Sequence, residues 1–155
     1  MATDFFTKWV EAIPMKKVEQ RDVIQFIKEH GIHRFGIPQS ITTDQLTMFT
    51  REDMKEFVKD YRIKVIKSTP FYAQANGQAE ASNKILIRIL EKMLEDNLRD
   101  WPRILFETLW AYRTSKRSST SMSPFFLTYG HDVVLPMEIV VPSLRVVKQN
   151  ALQPL

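Results

Sequence analysis

Two carboxylates give the first hint of chemistry, Asp44 and Glu80, with 35 residues between them. Glu80 follows an Asn76-Gly77 pair. Beyond it Ile85, Leu86, Ile89, Leu90, Met93 and Leu94 recur at helical spacing. A carboxylate so placed either complements the positive end of a helix or forms one arm of a catalytic site. Asp44 closes a Ser40-Ile41-Thr42-Thr43 run that reads as a strand, and Gln45-Leu46-Thr47-Met48-Phe49 follows it. In a chain with 26% charged residues this spacing by itself is a weak signal, because many acid pairs are available. Composition narrows the rest. With no cysteine there is no disulfide or thiolate metal site, and three scattered histidines, His30, His33 and His131, do not make a zinc site.

The 155 residues, 44% of them hydrophobic, suit one domain that buries a core. No apolar run of membrane-spanning length occurs, and the start has no secretory pattern, so a membrane is not an expected partner. A net charge of +4 and an isoelectric point near 9.4 are compatible with a polyanion.

The elements that must position the two acids can be read in order. Trp9 to Ile13 alternates as a strand, hairpinned around Phe6 to Lys8 with the residues before it. Val18 to Arg34 reads as one helix with Val23, Ile24 and Ile27 on its apolar face. Acids come early (Glu19, Asp22) and bases late (Lys28, His30, His33, Arg34), as the helix dipole favours. His30 and His33 are thus better explained as helix-end residues than as ligands. Gly36 is the expected left-handed cap and Pro38 the barrier behind it. A short helix from Arg51 to Tyr61 buries Met54, Phe57 and Val58, and Ile63 to Ile66 follows as a strand. Strand, helix and strand of this length favour a parallel pair, with Asp44 at the carboxyl end where open α/β sheets place ligands.

A loop through Pro70 and Asn76-Gly77 leads into a long helix, about Gln78 to Leu98, with Ala79, Leu86, Leu90 and Met93 inward. Glu80, Asn83, Lys84 and Arg88 share the other flank. Lys84 has two readings, a phosphate contact or an ordinary partner of Glu80 one turn back. Asp100-Trp101 opens another helix in which Trp101, Leu105, Leu109 and Tyr112 form a core stripe or a dimer seam. Lys116-Arg117 is a basic loop, usable on a polyanion or simply solvated. Beyond Leu135, prolines and lost periodicity suggest an extended, poorly ordered tail over 136–155.

Several words of the chain resemble the integrase catalytic core of gypsy-type long-terminal-repeat retrotransposons. They are Asp4-Phe5-Phe6-Thr7-Lys8-Trp9-Val10-Glu11-Ala12, the Asp44 and Glu80 surroundings, Leu109-Trp110-Ala111-Tyr112-Arg113-Thr114-Ser115, and Ser123-Pro124-Phe125-Phe126-Leu127-Thr128-Tyr129-Gly130-His131. They run in order from Asp4 to about Val146. The resemblance implies an α/β, ribonuclease-H-like mixed sheet flanked by helices, with residues 1–135 as the core. It also implies that the family's first catalytic Asp lies on a central strand before this chain begins. Asp4 matches a family residue that ends the second strand and is not catalytic. A turn hydrogen bond is its expected role, with a metal role as the alternative. Three departures stand out: Leu46 where Gly is usual, Ala73 where many relatives have Pro, and Ala81 where many have Arg.

What the resemblance implies for function is DNA integration by phosphoryl transfer. Asp44 and Glu80 would be catalytic and metal-binding, and Tyr72, Gln74, Asn83, Lys84 and Arg88 DNA-binding. Mg²⁺ or Mn²⁺ would be the cofactor, as two ions about 4 Å apart in the complete site. DNA is the expected partner, with a homo-oligomer beside it, and the nucleus the expected place. Without the first Asp and its strand, the chain is expected to be weakly stable and inactive by itself. The alternatives are a catalytically dead remnant that binds DNA or dimerises, and a non-functional transposon fragment.

Overall fold

A computed structural model of the chain describes residues 1–43, 49–67, 73–94 and 100–137, leaving out the side chains of 73–76 and 78. The hairpin forms where expected and is shorter. β1 (Ala2–Thr3) pairs antiparallel with β2 (Val10–Glu11) in the register Ala2↔Glu11 and Thr3↔Val10. Asp4 closes the turn between them, accepting from Thr7 N at 2.7 Å and Thr7 Oγ1 at 2.6 Å. That is the Asx-type role expected of it.

The helix expected as one piece from Val18 to Arg34 is divided. α1 (Gln20–Phe26) runs into a π-helical segment, Ile27–Ile32, and then into α2 (His33–Phe35). The reason lies in the apolar pattern: Ile27 and Ile32 both pack against the buried Met54, Phe57 and Ile63. Residues five apart diverge on an α-helix, whereas i→i+5 bonding brings them to one side. At the start of α1, Asp22 Oδ2 accepts from Glu19 N at 2.8 Å. Gly36 has φ 88° and ψ 179°, so it supplies the positive φ expected of it but not the αL cap geometry.

β3 (Ser40–Thr43) and β4 (Lys64–Lys67) form the parallel pair expected, from Ser40↔Lys64 to Thr43↔Lys67. α3 (Glu52–Asp60) connects them, with Met54 and Phe57 buried and Val58 half-buried. One antiparallel and one parallel pair give the mixed polarity expected. Among the described residues the two pairs are not hydrogen-bonded to each other, so the sheet is in two pieces.

Two helices carry the rest. α4 (Ala73–Leu94) packs along α5 (Trp101–Thr114) and reaches both β1 and β3. One apolar cluster joins Val10, Ala12, Leu86, Leu105, Leu109 and Tyr112, with Ile85 and Ile89 against it. Leu105, Leu109 and Tyr112 are therefore core, but Trp101 is 37% exposed. Trp101 is the first residue of α5, and the fully buried Thr108 fills the inward stripe instead, its hydroxyl bonded to Ile104 O at 3.0 Å. α6 (Pro124–Tyr129) starts on Ser123, whose Oγ accepts from Phe126 N at 3.1 Å, and stops on Gly130 in the αL conformation. Of the tail, Pro136 and Met137 are exposed and helical, and 138–155 lie outside the described residues.

Candidate functional site

α4 begins five residues earlier than its sequence pattern suggests, at Ala73 rather than Gln78. Asn76-Gly77 is consequently inside the helix and not in a loop. Alanine at position 73 sets no obstacle to extending the helix backward, and Ala75, Gln74 and Gln78 are good helix formers. Gly77 keeps a negative φ, and a Cβ built on it meets nothing within 4 Å.

This start changes what Glu80 can be. It is the eighth residue of α4, beyond the first turn where a carboxylate feels the positive end of the dipole. The helix-start explanation for Glu80 is thereby removed. Glu80, Asn83, Lys84 and Arg88 are all exposed on one flank, as expected, while Ser82, Leu86 and Leu94 are buried and Ala79, Leu90 and Met93 half-buried. Exposed Ile87 interrupts the polar flank.

Asp44 lies outside the described residues, as do Tyr72 and the side chain of Gln74. What is described is the approach: β3, whose carboxyl end at Thr43 immediately precedes Asp44, is in contact with the helix that bears Glu80. Among the described residues no group of three His, Cys, Asp or Glu side chains could hold a metal ion. Of the two acids Glu80 is the described one, an oxygen donor of the hard type that Mg²⁺ or Mn²⁺ takes.

Among the described residues a set of charges gathers around a buried carboxylate elsewhere, and sequence reasoning missed it. Glu11 is 7% exposed. It accepts from Trp9 Nε1 at 2.8 Å and from Arg113 Nη2 at 2.9 Å, pairs with Arg34, and has His30 Nδ1 at 3.7 Å. Arg113 also donates to Val10 O at 3.0 and 2.7 Å, and its guanidinium lies 4.5 Å from the Trp9 ring centre. Burial holds the Arg113 pKa below its usual value; Glu11 opposes that shift and Arg34 adds to it. The set ties β2 to α2, to the π segment and to α5. Its one signal in the sequence is a Glu set between Val10 and Ala12 in an otherwise apolar strand.

Arg117 departs from both readings of its loop. It is half-buried, donates to Tyr112 O, and lies 3.8 Å over the Tyr112 ring. Burial lowers its pKa, with Tyr112 opposing. Lys116 is exposed.

Comparison with known proteins agrees with this architecture. Residues 1–73 match the family described as "Integrase core domain". The Pol polyprotein of feline endogenous virus ECE1 is 29% identical over 128 residues, and the transposon Tf2-3 polyprotein of Schizosaccharomyces pombe 24% identical over 141. These alignments cover 82% and 90% of this chain, which spans only 12% and 11% of those polyproteins. Among solved structures, a simian T-cell lymphotropic virus intasome in complex with PP2A regulatory subunit B56 gamma superimposes with a TM-score of 0.70 at 21% identity. It covers 86% of this chain and 48% of that one. The HTLV-2 integrase catalytic core domain in complex with magnesium, in its trimeric form, gives 0.65 at 21% identity, covering 82% and 81%. The fold is the ribonuclease-H-like one of those cores. In sequence this chain is similar to retroviral-type integrase cores, and in fold it matches their solved structures.

Proposed function

We propose that the chain is the catalytic-core segment of a gypsy-type retrotransposon integrase, acting on element-end and target DNA in the nucleus and assembling with further copies of itself. Asp44 and Glu80 are its metal-binding acids, and Tyr72, Gln74, Asn83, Lys84 and Arg88 its DNA contacts. The observation that carries this reading is the contact of β3 with α4, together with the outward flank on which Glu80, Lys84 and Arg88 stand. In the complete site two Mg²⁺ or Mn²⁺ ions would activate the attacking oxygen and stabilise the leaving one in phosphoryl transfer. The protein's own part is to supply carboxylate oxygens and to hold the DNA backbone with Lys84 and Arg88. Two acids suffice for one ion and not for two, so the 155-residue chain binds DNA and one ion without cutting.

The test is a Mn²⁺ titration of the purified chain, read by electron paramagnetic resonance of the free ion. One ion per chain is expected, and Asp44→Asn or Glu80→Gln is expected to abolish it. No binding by the parent chain, or undiminished binding in both variants, overturns the metal assignment. Incubation with duplex DNA and Mg²⁺ should leave the duplex intact; nicking that Glu80→Gln removes would show the chain to be active.

A further inference from the structure

We propose that Tyr112 is a positioning residue for Glu80, acting through the buried hydroxyl of Ser82; this rests on the integrase reading above. Tyr112, on α5, is 1% exposed, and its hydroxyl donates to Ser82 Oγ at 3.0 Å. Ser82, on α4, is 5% exposed. Among the described side chains of α4 it is the first buried one from the N-terminal end. Before it Gly77, Glu80 and Ala81 are exposed and Ala79 half-buried, and the next buried residue, Leu86, comes a full turn later. Among the described side chains, Ser82 is thus the buried point at which the turn that presents Glu80 meets the protein body.

The geometry makes that anchor directional. Positions two apart in sequence differ by about 200° in rotation on an α-helix, so a Ser82 fixed inward turns Glu80 outward. Rotating or sliding this end of α4 would leave two buried hydroxyls without each other, which an apolar contact would not resist in the same way. The tyrosine ring is itself clamped. Arg117 lies over its face at 3.8 Å and donates to its carbonyl, so the hydroxyl has a fixed origin on α5. The outward flank with Lys84 and Arg88 follows the same rotation.

The test uses the full chain with Tyr112→Phe, which removes one oxygen and keeps the ring. Hydrogen exchange of the α4 amides is the first measurement. Amides of residues 79–84 should exchange about fivefold faster or more, and those of 86–94 should be unchanged. Equal acceleration along all of α4 and α5, or none, overturns the proposal. Mn²⁺ affinity is the second measurement. It should weaken by about threefold, short of the tenfold or more typical when a group bonded directly to a ligand is lost.

The double variant Tyr112→Phe/Ser82→Ala leaves no buried hydroxyl unpaired, so its overall stability should return toward that of the parent. Its Mn²⁺ affinity should remain reduced. Affinity that recovers together with stability would assign the pair a purely structural role and overturn the proposal. If the parent chain binds no Mn²⁺, the integrase reading fails on that result, and the exchange measurement still decides whether Tyr112 holds the turn.

Discussion

Arg113 donates from Nη2 to Glu11 Oε2 at 2.9 Å, across the junction between the last helical turn of α5 and the short strand β2. The same carboxylate holds Arg34 and Trp9 Nε1, so one side chain joins three parts of the chain far apart in sequence. Removing one partner of a buried ion pair costs about 3–5 kcal/mol, because the remaining charge is stranded. Glu11→Ala should therefore lower stability by about that much in urea unfolding. A loss under about 1 kcal/mol would show that the arginines find water or other partners.

Gly77 tests where α4 starts. If the helix runs through it from Ala73, Gly77→Ala adds a good helix former where a Cβ meets nothing within 4 Å. Stability should rise by about 0.5–1 kcal/mol. A drop would indicate a loop with a glycine-requiring φ at this position, in line with the Asn-Gly turn signal.

On the outward flank of α4, Lys84→Ala and Arg88→Ala should each weaken duplex DNA binding regardless of base sequence. Each should flatten the dependence of log affinity on log salt by about one unit. Both residues are exposed, so unfolding free energy should stay within about 0.5 kcal/mol of the parent. An unchanged salt slope in both would take this face off the DNA path.

Glu52 offers a pH check on α3. The hydrogen bond from Lys55, at 2.8 Å, and then its charge hold the Glu52 pKa below the usual carboxylate value. The folded-state pKa is the depressed one, so the pair's small stabilisation is present above the unfolded-state pKa. It is lost as pH falls through the folded value. Carbon-detected NMR titration should place the Glu52 midpoint below that of a model peptide, and Lys55→Ala should bring it back up.

Elements with their own periodicity are legible in the amino-acid sequence. Met54 and Phe57 mark the buried side of α3, Leu105, Leu109 and Tyr112 that of α5, and the parallel pairing of Ser40–Thr43 with Lys64–Lys67 follows from the length of chain between them. The flank carrying Glu80, Asn83, Lys84 and Arg88 is likewise readable, since three- and four-residue steps share a helix face whatever surrounds it. Asp44 is legible as a strand-end acid, although its placement lies outside the described residues.

Local pattern misleads where a long-range contact outweighs it. Asn-Gly is a strong turn signal, yet alanine and glutamine neighbours with no proline let α4 run through it. Ile27 and Ile32 could not both reach the core from a regular α-helix, and the π segment that reconciles them depends on where α3 lies. The partners of Glu11 and of half-buried Arg117 cannot be read from sequence, because what neutralises or stacks against each is decided by residues brought together only by the fold. Periodicity in the chain determines which side of each element is apolar; the partners of a buried charge or hydroxyl, Arg113 for Glu11 and Tyr112 for Ser82, are chosen by tertiary packing, since a polar group leaves water only when the whole chain delivers its counterpart.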